Sequence, residues 1–170
     1  MESEKREQAP AQPVASRPHG LPQGSEELLP WSWAESRLVA SHVYWLATTR
    51  PDGRPHLMPI WGVWRASAFY FNTGRASRKS RNLERNASCV IATDQAREAV
   101  VVEGVAHVVT DLGLREQLLS LLQEKYDYDW SSLEDDISSL REPIYAVSPQ
   151  TVFALDEQAS MQPATRWRFR

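Results

Sequence analysis

A chain of 170 residues with a net charge of −3 is long enough for one domain plus an appendage. That charge argues against a general nucleic-acid binder, which needs a basic field over a whole face. No run of about 18 apolar residues is available for a transmembrane helix, residues 1–27 lack the apolar stretch of a signal peptide, and the one cysteine, Cys89, excludes an internal disulfide and points to a buried thiol in a cytoplasmic protein with no membrane partner.

Residues 1–27 hold four prolines and few large apolar side chains, so they are expected to be a disordered tail preceding a domain over 28–170. Pro30-Trp31-Ser32-Trp33-Ala34-Glu35 reads as a helix start, with Ser32 as cap, Glu35 three residues on, and an end near His42. Val43–Thr49 is β-branched and aromatic, hence a strand. Pro51-Asp52-Gly53 is a turn in which Gly53 supplies positive φ, and Pro55–Trp64 returns antiparallel. Pro59 cannot donate to a ladder, which predicts an edge or a bulge there. Phe69–Asn72 is expected to complete a meander. A short helix over Ser77–Asn86 has Leu83 inward, and strands follow over Ser88–Thr93 and Ala99–Thr110, with Gly104 marking a bulge or bend. Asp111 is placed to cap a helix running to Tyr126, with Leu114, Leu118, Leu121 and Leu122 on its apolar side. The acidic stretch 127–141 is expected to contain a short helix around Ser132–Leu140, and Ile144–Ala154 and Thr165–Phe169 are the last strands. Six or seven strands, few helices and no βαβ alternation predict a mainly β protein, an antiparallel barrel.

Three constellations carry candidate chemistry. Arg75, Arg78, Lys79 and Arg81 crowd the start of the 77–86 helix, where the macrodipole makes each added cation unfavourable by roughly 0.3–1 kcal/mol. A bound anion would reverse that sign, using side chains and free backbone N–H groups. The alternative is a solvated face built from good helix formers. At Pro59-Ile60-Trp61, the exposed backbone of an interrupted edge strand can bond a planar heterocycle; alternatively the proline only blunts the edge. Trp61 and Trp64, at odd separation, should face opposite sides of the sheet. Arg166-Trp167-Arg168-Phe169 is either a final edge strand with a solvated face or a strand laid over a neighbouring subunit's pocket. Seven tryptophans exceed what one such core needs, which points to an interface or a planar-ligand pocket. No nucleophile elbow, P-loop, Gly-x-Gly-x-x-Gly or suggestive carboxylate pair is present, so no catalytic side chain is assigned. Cys89 with His19, His42, His56 and His107 matches no zinc pattern. Reactivity would have to come from a bound cofactor.

Trp45 through His56, Pro59-Ile60-Trp61, Phe69-Tyr70-Phe71-Asn72-Thr73 and Ser77-Arg78-Lys79-Ser80-Arg81-Asn82-Leu83 together resemble the pyridoxamine 5′-phosphate oxidase-like superfamily of split β-barrel flavoproteins. The Ser-x-Lys-x-Arg-Asn-Leu string and the closing Thr165-Arg166-Trp167-Arg168-Phe169 are similar to its flavin/deazaflavin oxidoreductase branch, whose members use coenzyme F-420 and whose relatives use FMN. The resemblance covers residues 30–170. It implies a dimeric, FMN-binding-protein-like split barrel: a homodimer with two cofactor clefts between subunits. It places the phosphate end against Lys79 with Ser77, Arg78, Arg81 and Asn82 nearby, the ribityl-phosphate portion at Thr73, and the ring along Met58, Pro59, Ile60 and Trp61. Trp167 and Arg168 of the other subunit would close the pocket. The implied activity is hydride transfer to or from a small-molecule substrate; a non-catalytic flavin- or haem-binding module is the alternative. The chain departs from the oxidase proper, whose longer C-terminal segment with substrate-phosphate residues is not found, so oxidation of pyridoxamine phosphate is not expected.

Overall fold

Period-2 burial runs through the strands. Along β2 (Tyr44–Thr49), Tyr44, Leu46 and Thr48 are buried while Trp45 and Thr49 are exposed, as a half-buried pleated surface requires. The computed structural model describes residues 14–16, 28–129, 140–157 and 164–169. Around β2 these residues form β1 (Val14–Ser16), α1 (Trp31–Ala40), β3 (Pro55–Ile60), β4 (Val63–Arg65), β5 (Ala68–Asn72), α2 (Arg78–Arg85), β6 (Ser88–Thr93), β7 (Glu98–Val108), α3 (Leu112–Tyr126), β8 (Ile144–Asp156) and β9 (Ala164–Arg168). The sheet order is β1-β9-β8-β7-β6-β2-β3, and β5 pairs with both β4 and β8. Every pairing is antiparallel. The chain passing from β3 into β4 therefore returns the open end of the sheet to β8 and curls it into a half-barrel, in agreement with the mainly β, antiparallel split-barrel expectation. Tyr44, Leu46, Phe69, Phe71, Ile91, Val102, Val147 and Val152 fill its interior.

Several local expectations hold with their reasons. Gly53 has φ of 81°, and the hairpin closes through Gly53 N–H to Arg50 O and Arg50 N–H to Arg54 O, both 2.9 Å. Asp111 caps α3, its carboxylate accepting from Leu114 N–H at 2.8 Å, and the helix ends at Tyr126 with Leu118 and Leu122 buried and Leu114 and Leu121 half-buried. At Gly104 the β7–β8 register shifts: Glu103 faces Thr151 and Gly104 faces Pro149, leaving Gln150 as the extra residue. A Cβ on Gly104 would lie 2.5 Å from Ser148 O, so the two backbones approach this closely only at glycine. Pro59 lies on the edge strand β3, in unbroken register opposite Trp45. Cys89 is buried.

Others are corrected. Ser32 does not cap α1; the N-cap position is Pro30 and no side chain bonds there. The Glu35 carboxylate instead accepts from the Trp64 indole N–H at 3.1 Å. The expected strand over 55–64 is two strands, separated at Trp61-Gly62, where Phe69 packs so close to the backbone that only glycine fits. The meander is formed through that divided strand: its first part, β3, pairs with β2 and its second part, β4, pairs with β5, which also pairs with β8. Within residues 1–27, expected to be disordered, Val14–Ser16 pairs as β1 with β9, whose outer edge would otherwise lack a ladder partner. The expected helix around Ser132–Leu140 falls outside the described residues except at its last position.

Candidate functional site

The site is organised by the loop from β5 into α2. Ser77 caps α2, its hydroxyl accepting from Ser80 N–H at 3.2 Å, and Thr73 Oγ1 lies 3.1 Å from Ser77 Oγ. Ser80 Oγ meets the Tyr145 hydroxyl at 2.8 Å and anchors the first turn to β8. With its cap bonded this way, α2 presents the leading N–H groups of Arg78 and Lys79 outward. Lys79 is half-buried, and burial lowers its pKa. Its side chain lines a pocket of about 430 Å³ with Val43, Pro59, Ile60, Trp61, Asn72 and Thr73.

Five of the sequence-derived residues thus share one cavity: Pro59, Ile60, Trp61, Thr73 and Lys79. Ser77 adjoins it through Thr73, while Arg78 and Arg81 are exposed on the same helix. Met58 is exposed on β3 but is not among the residues lining the pocket. Two placements differ from expectation. Asn82 is fully buried and turned toward β2, its Nδ2 donating to Thr48 Oγ1 at 2.9 Å, because it sits on the face of α2 that packs on the sheet. Trp167 is 1% exposed inside the barrel of its own chain, in edge contact with Trp31; the ring is core, and only Arg168 of that pair is exposed. Arg75 also leaves the cation cluster: its Nε donates to Arg141 O and its Nη2 to Leu140 O, both at 2.7 Å.

The structure adds two groups that sequence reasoning passed over. His56 faces Thr48 across the β2–β3 ladder, with Nδ1 3.4 Å from Thr48 Oγ1. Burial, and then the charges of Arg50, Lys79 and Arg78, hold its protonation below the usual histidine range. Arg50 therefore belongs to the same cationic field, and its Nε is buried without a hydrogen-bond partner among the described residues. The signal was present in the turn: closing the hairpin between Arg50 and Arg54 places Thr48 opposite His56. An amine at a helix N-terminus beside an apolar, backbone-lined wall fits a ligand with an anionic tail and a planar head.

A mainly β, antiparallel half-barrel of this kind matches the pyridoxamine 5′-phosphate oxidase-like, FMN-binding fold. The sequence matches the family model for pyridoxamine 5′-phosphate oxidase over residues 34–156, and the chain belongs to that family, whose roles are ligand-binding and redox-related. Among solved structures it is similar to one described as an F420 reductase, at 23% identity over 76% of this chain and 98% of that one, with TM-score 0.58. A putative 5-nitroimidazole antibiotic resistance protein from Bacteroides thetaiotaomicron matches at 13% identity, 95% and 92% coverage and TM-score 0.63. HutZ, the haem storage protein from Vibrio cholerae, matches at 23% identity, 73% and 90% coverage and TM-score 0.56. Comparison with curated protein sequences gives no match. Among the described residues no helix is long and apolar enough to cross a membrane.

Proposed function

We propose that this protein is an oxidoreductase that binds a deazaflavin, coenzyme F-420, or alternatively FMN, at an interface between two copies of the chain, and transfers hydride to or from a small organic substrate. The carrying observation is the single pocket that joins Lys79, at the α2 N-terminus, to the backbone of Pro59-Ile60-Trp61. Lys79 and Arg78, with Arg50 and Arg81 around them, supply charge-assisted bonds to a phosphate tail, while the edge strand offers unpaired backbone groups to a ring. When bound, the cofactor supplies the hydride chemistry. The chain binds, orients and excludes water, and alignment at near-contact distance takes the place of an acid–base residue. The homodimer is supported by exposed apolar side chains on the edge hairpin: Trp45 and Leu57, 40% and 56% exposed, lie on one face of the β2–β3 ladder, where Trp45 pairs with Pro59. In this reading Arg168, which is exposed, is the tail residue that would reach a partner's pocket.

A second reading, a non-catalytic flavin- or haem-binding module, draws on the likeness to the haem storage protein and on a pocket lining whose one titratable side chain is Lys79. That lining contains no histidine to ligate haem iron, which favours the flavin-type ligand. Absorbance of the purified full-length protein, followed by fluorescence titration with F-420 and FMN side by side, separates the readings. The wild type is expected to bind one of them in the micromolar range or tighter, and Lys79→Ala with Arg78→Ala to weaken binding at least tenfold, since a charged hydrogen bond contributes about 1.5–3 kcal/mol. Unchanged affinity in that double variant would show that the site is misassigned, and a Soret band would select haem.

A further inference from the structure

The last turn of α3 grips the corner on which the pocket wall hangs. Gly62, between β3 and β4, has both backbone groups taken by one side chain: its N–H donates to the Tyr126 hydroxyl at 2.8 Å, and that hydroxyl donates to Gly62 O at 2.9 Å. Lys125 Nζ donates to the same carbonyl at 3.1 Å, to Tyr44 OH at 2.8 Å and to Val39 O at 3.4 Å. These three acceptors match the three N–H bonds of an ammonium, and the amine also lies 4.8 Å from the Tyr44 ring centroid and 5.6 Å from that of Tyr126. One residue before the corner, the Trp61 ring stacks on Tyr126 with centroids 4.6 Å apart and planes 11° apart. Tyr128 meets the same ring edge-on at 5.6 Å.

The Tyr126 ring also packs in the core between α3 and the sheet, with Val63, Leu122 and Ile144, but its hydroxyl is given to the corner. Tyr126 and Lys125 fix a bend in the chain and one aromatic ring, both at the cavity that also contains Pro59, Ile60 and Lys79. Neither residue lines that cavity. We infer that Tyr126 and Lys125 are positioning residues for the ring end of the ligand, holding the Gly62 corner and the Trp61 ring so that Pro59-Ile60-Trp61 form a rigid wall; this rests on the flavin-type reading above. A preorganised wall raises affinity by removing the ordering cost at binding, and the gain belongs to the ring, not to the phosphate.

The test uses two pairs of probes: FMN with riboflavin, and F-420 with its phosphate-free deazaflavin. Tyr126→Phe keeps the stacked ring and removes both Gly62 bonds; Lys125→Met removes the third. Each variant is expected to weaken the phosphate-bearing and phosphate-free members of a pair by the same factor, about tenfold, whereas Lys79→Ala weakens only the phosphate-bearing one. A loss of folding would also weaken both members equally, so the comparison is made where urea melts show each variant fully folded, and only a loss measured there counts for the wall. Unchanged affinity in both variants, or a loss confined to the phosphate-bearing probes, would overturn the assignment. Wild-type protein that takes up none of the four probes overturns the cofactor reading itself. The corner clamp is then judged separately, by NMR: Tyr126→Phe must speed hydrogen exchange at the Gly62 amide and shift the Trp61 indole resonance, and an unmoved pair of signals would sink it.

Discussion

Arg75 and Lys79 lie four residues apart, one in the β5–α2 loop and one in the first turn of α2, and carry the same charge, yet their surroundings separate them. Arg75 is held by the carbonyls of Leu140 and Arg141, and its own N–H by the Glu142 carboxylate at 2.5 Å, so it ties the β5–α2 loop to the strand leading into β8. Lys79 lines the cavity and loses solvation there. Arg75→Ala is expected to lower stability in urea melts by about 1–3 kcal/mol, the range for bonds from a charged donor, and to leave the affinity for F-420 or FMN within about twofold. Lys79→Ala should do the reverse, and equal losses of affinity in the two variants would contradict this division.

Helix α3 shows what an element adds beyond its sequence pattern. Its Asp111 cap and buried leucines belong to any amphipathic helix on a sheet, and Arg115 within it is buried, donating to Val109 O and Glu142 O at 2.7 Å each. The last turn differs, because it buries Lys125 among neutral acceptors. Burial alone lowers that amine from its usual 10.5 to about 8. A base with a lowered folded pKa binds fewer protons folded than unfolded between those two values, so its contribution to stability rises with pH across that window and is flat below it. The buried Cys89 thiol, pushed up to about 12 by burial, works in the opposite direction. Comparing wild type with Lys125→Met cancels that background: the stability of the wild type relative to the variant should increase from about pH 8 to 10.5 in parallel urea melts. A pH-independent difference would show that the amine is not desolvated as the structure indicates.

At the scale of the whole molecule, two bends make the half-barrel: the Gly62 corner joining β3 to β4 and the bulge opposite Gly104. Cys89 faces Gly104 across the β6–β7 ladder, so its thiol reports on that second bend. Buried and far from its thiolate form, Cys89 should resist iodoacetamide for hours at pH 8 in the native protein. Gly104→Ala forces a methyl against Ser148 O, which costs about 1–3 kcal/mol by overpacking, and should speed alkylation roughly tenfold or more through local opening. An unchanged rate would mean that the bulge does not control access to the inner face.

Features that depend on a few neighbouring residues were legible in the sequence: the Gly53 turn, the Asp111 cap, the Tyr126 end of α3, the edge position of Pro59 and the cation-rich start of α2. Backbone φ preferences, capping hydrogen bonds and the missing proline N–H act over four residues or fewer, so local sequence states them. Ser32, Arg75, Asn82 and Trp167 were misplaced because their roles depend on partners 29 to 136 positions away: Trp64 draws Glu35 from the cap, Leu140 and Arg141 hold Arg75, Thr48 holds Asn82, and Trp31 packs against Trp167. The sequence by itself determined that cations gather at a helix start and that Pro59 belongs to a strand edge. Only the tertiary structure decided which of those cations face a cavity, because a side chain's free donors are whatever long-range packing leaves unbonded.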